Sequence, residues 1–464
     1  WSLFSAIMKN KSQAAPLTTA GEIDKAVEAL NTNIHQTIST ITPVIKLSQK
    51  PRKAQWWSED LRQQRRKLRT LYHRIGRGTG NMVEYLELKA NYQNSVRKAK
   101  TESWKKFVSE CSNISDTSKL AKIINRQIAP PVGLIKSTDG RMAKDGTESL
   151  YNLLKTHFSD LGIDESSTQI NSPSITHQSP RDSSKPERWI NQVTTSKIIK
   201  QLATNKTPGP DGITNRILKN LPGETLFLIS QIYIACLTKR HIPKIWAVSK
   251  AVFIPKPDKP DRGDPKAYRP ICLSNVLFKV FEKHILNYLE AEKIYPHKLS
   301  HRQHGFRHNK STYTALSSFT NYIEQAKAEG KTAIAVLVDI EGAFDNADIP
   351  NALDQLEKWG TPTDITETFE DYYAKREVMA TLKGDTISVA PNKGTAQGNV
   401  TSPMFWNCIV DPVGQIMDKH GLGGNLFADD ILIIYKHTDV YIIQRKKQAA
   451  LEDIAIWAGE QRLN

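Results

Sequence analysis

Residues 425–435 read NLFADDILIIY, with two adjacent aspartates, Asp429 and Asp430, set inside an apolar run. The flanks Leu426–Ala428 and Ile431–Tyr435 have strand length and apolar residues at successive positions, which predicts strands buried on both faces. Carboxylates in such a run cost free energy unless something pairs with them. Side chains alternate between faces along a strand, so the two aspartates are not equivalent unless the chain turns there. Aspartate is a favoured turn residue, and a hairpin turn over Ala428-Asp429-Asp430 follows.

Ninety residues earlier, KTAIAVLVDIEGAFDNA (331–347) carries another acid at the end of a strand signal. Ala333–Val338 is a continuous apolar run, and Asp339 closes it. Neighbouring strands in one sheet bring these carboxylates together, and at about 4 Å two such charges repel by roughly 4 kcal/mol at an effective dielectric near 20. A divalent cation removes that penalty, and Mg²⁺ takes one or two carboxylates together with substrate phosphates. Two ions about 3.5–4 Å apart clamp the attacking and leaving oxygens of an in-line phosphoryl displacement. An Asp-Asp turn alone is an ordinary feature of a hairpin; the strand-end Asp339 is what favours a site.

The rest of the composition narrows the partners. Of 464 residues, 64 are Lys or Arg and 48 are Asp or Glu, a net charge of +16 that favours a polyanionic partner. No apolar run approaches the roughly 20 residues of a membrane span, and no secretory signal opens the chain. The sequence starts without Met and is read as a fragment. Cys111, Cys236, Cys272 and Cys408 stand apart with no C-x-x-C pair, which argues for a reducing compartment and against a zinc or disulfide framework. His301, His304 and His308 do not form a metal set, because Gly305 interrupts the helix their spacing needs. GRGTG (76–80) and GLGG (421–424) lack the βαβ context of dinucleotide loops. The N-x-S/T triplets have no secretory route that would make them glycosylation sites.

Along the chain, residues 20–46 show apolar positions at helical spacing that end before Lys50-Pro51-Arg52-Lys53. Ser58 before Glu59-Asp60 marks the start of a helix running to about residue 78. Its apolar positions Leu61, Leu68, Leu71, Tyr72 and Ile75 are surrounded by Arg62, Arg65, Arg66, Arg69 and Arg74. A second helix starts near Met82, and the basic hairpin suits backbone contact with nucleic acid through arginine. Residues 163–187, rich in Ser, Thr, Pro and Asp, read as a linker. From 188 onward short strands alternate with longer helices, an α+β pattern.

Six motifs then occur in a familiar order: NKTPGPDGI (205–213), AVFIPKPDKPDRGDPKAYRPICLSNVLFKVFEK (251–283), HGFRHNKST (304–312), LVDIEGAFDNA (337–347), GTAQGNVTSP (394–403) and LFADDILII (426–434). Residues 196–464 resemble the reverse transcriptases of non-LTR (LINE-type) retrotransposons, above all the jockey-like group. WWSEDL (56–61) and AKTESWKKF (99–107) resemble the segment that precedes the polymerase in those elements.

The resemblance implies a right-hand polymerase. It assigns fingers to 188–330 and a palm to 331–464, an antiparallel sheet backed by helices with one helix near 441–462. Upstream are a helical remnant of a linker (1–48), a basic helical extension (49–128) and a linker (129–187). The chain stops at Gln461–Asn464, where the family continues toward primer grip and thumb, so a thumb is expected to be absent.

It further implies RNA-directed DNA polymerase activity, with an RNA template, a DNA primer and dNTP substrates. Asp339 and Asp429 become the principal ligands of two Mg²⁺ ions (Mn²⁺ as the alternative), with Asp430 in support. Phe344, five residues past Asp339, falls where a bulky side chain excludes a 2′-OH; this disfavours an RNA-directed RNA polymerase. Gln397 and Gly398 line the nucleotide pocket, although Ala396 and Asn399 replace the usual Pro and Ser. Lys256 and Arg269 grip the triphosphate. Arg307 and the 208–213 loop face the template. The family implies an intracellular life, nuclear at integration and cytoplasmic in transit, with no membrane and no fixed protein partner. The alternative reading is an inactive or domesticated relic that binds nucleic acid without polymerising.

Overall fold

The computed structural model describes residues 1–12, 16–42, 54, 56–110, 133–137, 139–158, 183–257, 259–382 and 384–463. Lys50–Lys53, Cys111 and the 163–182 part of the expected linker lie outside them. The chain forms two units, Trp1–Pro43 with Val132–Asn464, and Val44–Pro131.

In the larger unit the described strands are β1 (Val248–Pro255), β2 (Tyr268–Ser274), β3 (Thr332–Val338), β4 (Glu377–Leu382), β5 (Asp385–Val389), β6 (Gly423–Phe427) and β7 (Asp430–His437). They make two sheets, β3-β7-β6 and β2-β1-β4-β5.

The three-stranded sheet is antiparallel. Val338 of β3 stands opposite Ile431 of β7, and Phe427 of β6 opposite Asp430. Only Ala428 and Asp429 separate β6 from β7, and Ala428 takes the left-handed backbone (φ 55°) that a two-residue hairpin turn uses. The predicted turn is therefore present.

The expectation of burial on both faces holds at Ile434, on the far side of β7 and 1% exposed, and fails toward the acid end. Leu426, Ile431 and Ile433 are fully buried in the main core, while the opposite face is open: Leu337 is 79% exposed, and Asp339 and Asp430 are exposed. The open face is shielded at its far end by a helix, α9 (Thr312–Ala328), whose Ala315 carbonyl accepts from Asn425 Nδ2 at 2.9 Å. The apolar run in β3 thus reflects a strand with one wet face, not a doubly buried one.

The four-stranded sheet joins distant segments. β1 runs antiparallel to β2 and parallel to β4, so β4 and β5, from the downstream half of the sequence, belong with strands more than a hundred residues upstream. Its inner face is covered by α5 (Gly146–His157): Leu150, Leu154 and Phe158 pack on Ala251, Cys272, Val378 and Ala380. Asp145 caps α5 by accepting from Glu148 N at 2.8 Å. The expected linker 129–187 therefore contains a core helix, and its end is pinned where Ser184 Oγ donates to Asp364 at 2.7 Å.

The expected N-terminal remnant is likewise structural. α1 (Ser2–Lys11) and α2 (Ala20–Ile41, opened by a Thr19–Glu22 capping box) bury Phe4, Met8, Ile23, Val27, Leu30 and Ile34 in the main core. Each such side chain contributes about 1.5–3 kcal/mol on burial.

Behind the three-stranded sheet lie α12 (Ser402–Lys419) and α13 (Val440–Glu460), the latter where the helix near 441–462 was expected. No described helix is long and apolar enough to cross a membrane.

The smaller unit is a hairpin of α3 (Glu59–Gly76) and α4 (Met82–Ser109). Ser58 Oγ caps α3 by accepting from Leu61 N at 3.2 Å, as its position predicted. Leu61 and Leu71 are buried on α3, and α4 buries no residue, so the hairpin is mostly surface.

Candidate active site

Three carboxylates converge at one end of the three-stranded sheet. Asp339 follows the Val338–Ile431 pair by one step on β3, and Asp430 precedes it by one step on β7. Asp429 occupies the turn beside them. Burial first, then the charges of Asp429 and Asp339, hold the Asp430 carboxyl above the usual carboxylate range. The cross-strand neighbour of Asp339 is thus Asp430, with Asp429 adjacent in the turn.

Among the described residues no three His, Cys, Asp or Glu side chains gather tightly enough to hold an ion by themselves. The donor chemistry nevertheless fits Mg²⁺: hard oxygens under mutual repulsion, leaving coordination positions that substrate phosphates fill.

Phe344 sits in the turn after β3, half-buried. Its ring stacks on Trp406 of α12 (centroids 6.1 Å apart, 29° between planes), and the Trp406 indole donates to the Ala428 carbonyl at 2.9 Å. The aromatic at the expected sugar position is thereby tied to the turn that carries the acids. The segment after β3 that carries Phe344 is in turn joined to the loop 394–399: Thr395 N donates to Phe344 O at 2.8 Å and Gly394 N to Ala347 O at 2.9 Å.

The same loop docks on the other sheet, because Cys272 N of β2 donates to Gln397 O at 2.7 Å. Gly398 (φ 134°) lies so close to β2 that a Cβ there would sit 2.3 Å from the Cys272 carbonyl oxygen, and only glycine fits. The departures from the family pattern have local roles. Ala396 is buried, and Asn399 bonds both Ser274 and Tyr372, the latter at 2.9 Å.

Lys256 and Arg269 lie on one face of the β1–β2 hairpin. Arg269 is exposed opposite Ile254, and the backbone N of Lys256 donates to Ala267 O at 2.8 Å, extending the ladder by one rung. Alternation places both side chains on the face away from α5. The loop between these strands reaches the acid turn through an ion pair between Lys266 and Glu341 at 2.7 Å.

Arg307 is engaged with its own loop. Its guanidinium donates to the Ser300 and Gln303 carbonyls at 2.8 and 3.3 Å, which braces its own loop. Among the other histidine candidates, burial first and then the charges of Lys310 and Arg307 push His304 down to about 4. In the smaller unit Arg62 pairs with Glu59 at 2.7 Å and Arg65 lies 5.8 Å over the Trp57 ring, whereas Arg66 and Arg69 are exposed.

Sequence reasoning missed the supports of this loop. Glu282, fully buried on α8 (Val276–Ala291), accepts from Val400 N at 3.0 Å and Thr401 N at 3.3 Å, holding the start of α12; burial pushes its carboxyl up. Arg376, 3% exposed, donates to Gly394 O at 2.6 Å. Both are charged residues in ordinary-looking helical or strand contexts, and only their burial marks them.

The site thus consists of sheet-end carboxylates, an aromatic tied to their turn through Trp406, and a glycine loop that joins the two sheets. Residues 254–464 match the family described as reverse transcriptase (RNA-dependent DNA polymerase). The chain is similar to the retrovirus-related Pol polyprotein from type-1 retrotransposable element R1 of Bradysia coprophila, 26% identical over 408 residues that make up 86% of this chain and 38% of that protein. It is also similar to the probable RNA-directed DNA polymerase from transposon BS of Drosophila melanogaster (25% identity, 95% of this chain, 50% of that one). The RNA-directed DNA polymerase from mobile element jockey of the same species is 25% identical over 61% of this chain and 31% of its own. The chain thus spans half or less of the length of each of these relatives.

Proposed function

We propose that the chain supplies the fingers and palm of an RNA-directed DNA polymerase that copies an RNA template from a DNA primer. The observation that carries this reading is the convergence of Asp339, Asp429 and Asp430 on an open sheet face, in front of Phe344. In this reading the three-stranded sheet with α12 and α13 is the palm. The fingers include the four-stranded sheet, and so take in β4 and β5 as well as β1 and β2.

The primer 3′-OH attacks the α-phosphate of a dNTP, and pyrophosphate leaves. Asp339 and Asp429, supported by Asp430, would hold two Mg²⁺ ions, which neutralise the charge that develops on the phosphate. Lys256 supplies a point charge and Arg269 a planar fork to the triphosphate. Phe344 excludes a 2′-OH sterically. Gln397 and Gly398 let the backbone approach the nascent base pair. Arg62, Arg65, Arg66 and Arg69 contact nucleic-acid phosphates. Arg307 serves the template side indirectly, by bracing its loop. The reaction belongs to the nucleus, where target DNA is found.

A second reading, nucleic-acid binding without synthesis, draws on residues 56–110, where 13 Lys and Arg face six Asp and Glu. Primer extension on poly(rA)/oligo(dT) with Mg²⁺ separates the two, using this chain, the full-length protein and the Asp429→Ala variant. Polymerase function predicts extension that Asp429→Ala abolishes. Salt-sensitive RNA binding with no extension by either intact form would establish the binding module instead.

A further inference from the structure

We propose that Phe306 is a positioning residue for Phe344, and through it a second determinant of sugar selectivity. The inference rests on the reading of Phe344 as the residue under the nucleotide sugar.

Phe306 is 51% exposed and adopts φ 55°, a left-handed backbone that a bulky aromatic residue seldom takes. Its neighbours impose that conformation. His304 N donates to Leu426 O at 2.8 Å, adding a rung beside β6. Gly305 follows, packed so tightly that a Cβ would lie 2.4 Å from Ala428 N, and its carbonyl accepts from Asn407 Nδ2 at 3.2 Å. The chain reaches Phe306 with no freedom to relax, and its ring emerges beside the acid turn.

There it meets Phe344 edge to face, with centroids 6.1 Å apart and planes at 88°, a favoured geometry for an aromatic pair. Phe344 is consequently held between two rings, Trp406 on one side and Phe306 on the other. Both are anchored to the Ala428-Asp429 turn, Trp406 by its indole N–H and Phe306 through Gly305. Trp406 is fully buried and fixes the inner side of Phe344. Phe306 bounds the outer, solvent side, where a change of rotamer would otherwise swing the Phe344 ring clear of the sugar. An exposed, strained phenylalanine gains little by burial; its contribution here is the ring contact it makes with Phe344.

The test is single-nucleotide insertion of a dNTP and the matching rNTP by the full-length protein carrying Phe306→Ala, Phe306→Tyr, Phe344→Ala or both alanines, with melting temperatures alongside. Phe306→Ala should raise rNTP insertion relative to dNTP by roughly tenfold in kcat/KM. Phe306→Tyr, which keeps the ring edge, should restore the wild-type ratio. The double variant should be no more permissive than Phe344→Ala alone.

Unchanged selectivity in Phe306→Ala, or an equal slowing of both substrates, overturns the proposal while leaving Phe344 in place. Full selectivity in Phe344→Ala removes the underlying reading instead. Should Phe306→Ala not fold, Phe306→Leu, apolar bulk without a ring edge, carries the same comparison.

Discussion

The candidate residues of the three-stranded sheet are carboxylates crowded at one end of two strands; those of the four-stranded sheet are two cations spaced along one face of a hairpin. Asp430 feels both Asp429 and Asp339, and the register leaves these groups no way to separate. Lys256 and Arg269 stand two rungs apart on one face, with Arg269 exposed to solvent. Crowded acids repel one another and respond as one unit. Spaced cations carry no such mutual penalty. The loop 394–399, hydrogen-bonded to the segment after β3 and to β2, is where the two arrangements are joined.

The largest effects should come from breaking the crowded end. Asp339→Ala or Asp429→Ala should lower primer extension by roughly 10³-fold, comparable to the loss of a principal electrostatic group, and the double variant should fall little further. On the cationic face, Arg269→Ala should raise the KM for dNTP by roughly 10–100-fold, the value of a charge-assisted contact, and Lys256→Ala by less. Combining these two should give less than the product of their effects, measured by steady-state insertion, because both act on one triphosphate.

The junction between the sheets is tested by Gly398→Ala. Its Cβ would collide with the Cys272 carbonyl, and thermal unfolding should show a loss of about 1–3 kcal/mol, with poorer dNTP binding.

The smallest effect concerns a carboxyl in neither sheet. Asp211 is pushed up to about 6, by burial first and without like-charged neighbours. Its folded value lies above its unfolded one, so its contribution to stability is complete below about pH 4 and is lost as pH rises toward 6. Melting of Asp211→Asn across pH 4–7 should lack that decline, a difference of order 1 kcal/mol after allowance for partial exposure.

The two regions also differ in how much of them could be read from sequence. At the crowded end nearly everything was legible: the strand closing on Asp339, the turn at Ala428-Asp429 and the aromatic five residues on are all local in the chain. What period and composition could not reveal was which face stays open. Leu337 is as apolar as Ile433, yet one is exposed and the other buried, because helices cover one side fully and the other only at its far end.

In the four-stranded sheet the residues of β1 and β2 were recognisable, but the parallel pairing of β1 with β4 joins segments with no local signal for each other. α5 was hidden in a stretch read as linker, since its short apolar stripe makes sense only against the sheet it covers. The bracing bonds of Arg307 and the buried supports Glu282 and Arg376 had no signal in the sequence at all.

The central claim is that acids ninety residues apart share divalent cations at the end of one sheet. Fe²⁺ substituted for Mg²⁺, with hydroxyl-radical cleavage of the backbone mapped by mass spectrometry, tests it directly. The account predicts cuts clustered at both 338–341 and 427–430, suppressed by excess Mg²⁺ and lost together in either Asp339→Asn or Asp429→Asn. Cleavage at only one of the two segments, or cuts at 427–430 that survive Asp339→Asn unchanged, would contradict it.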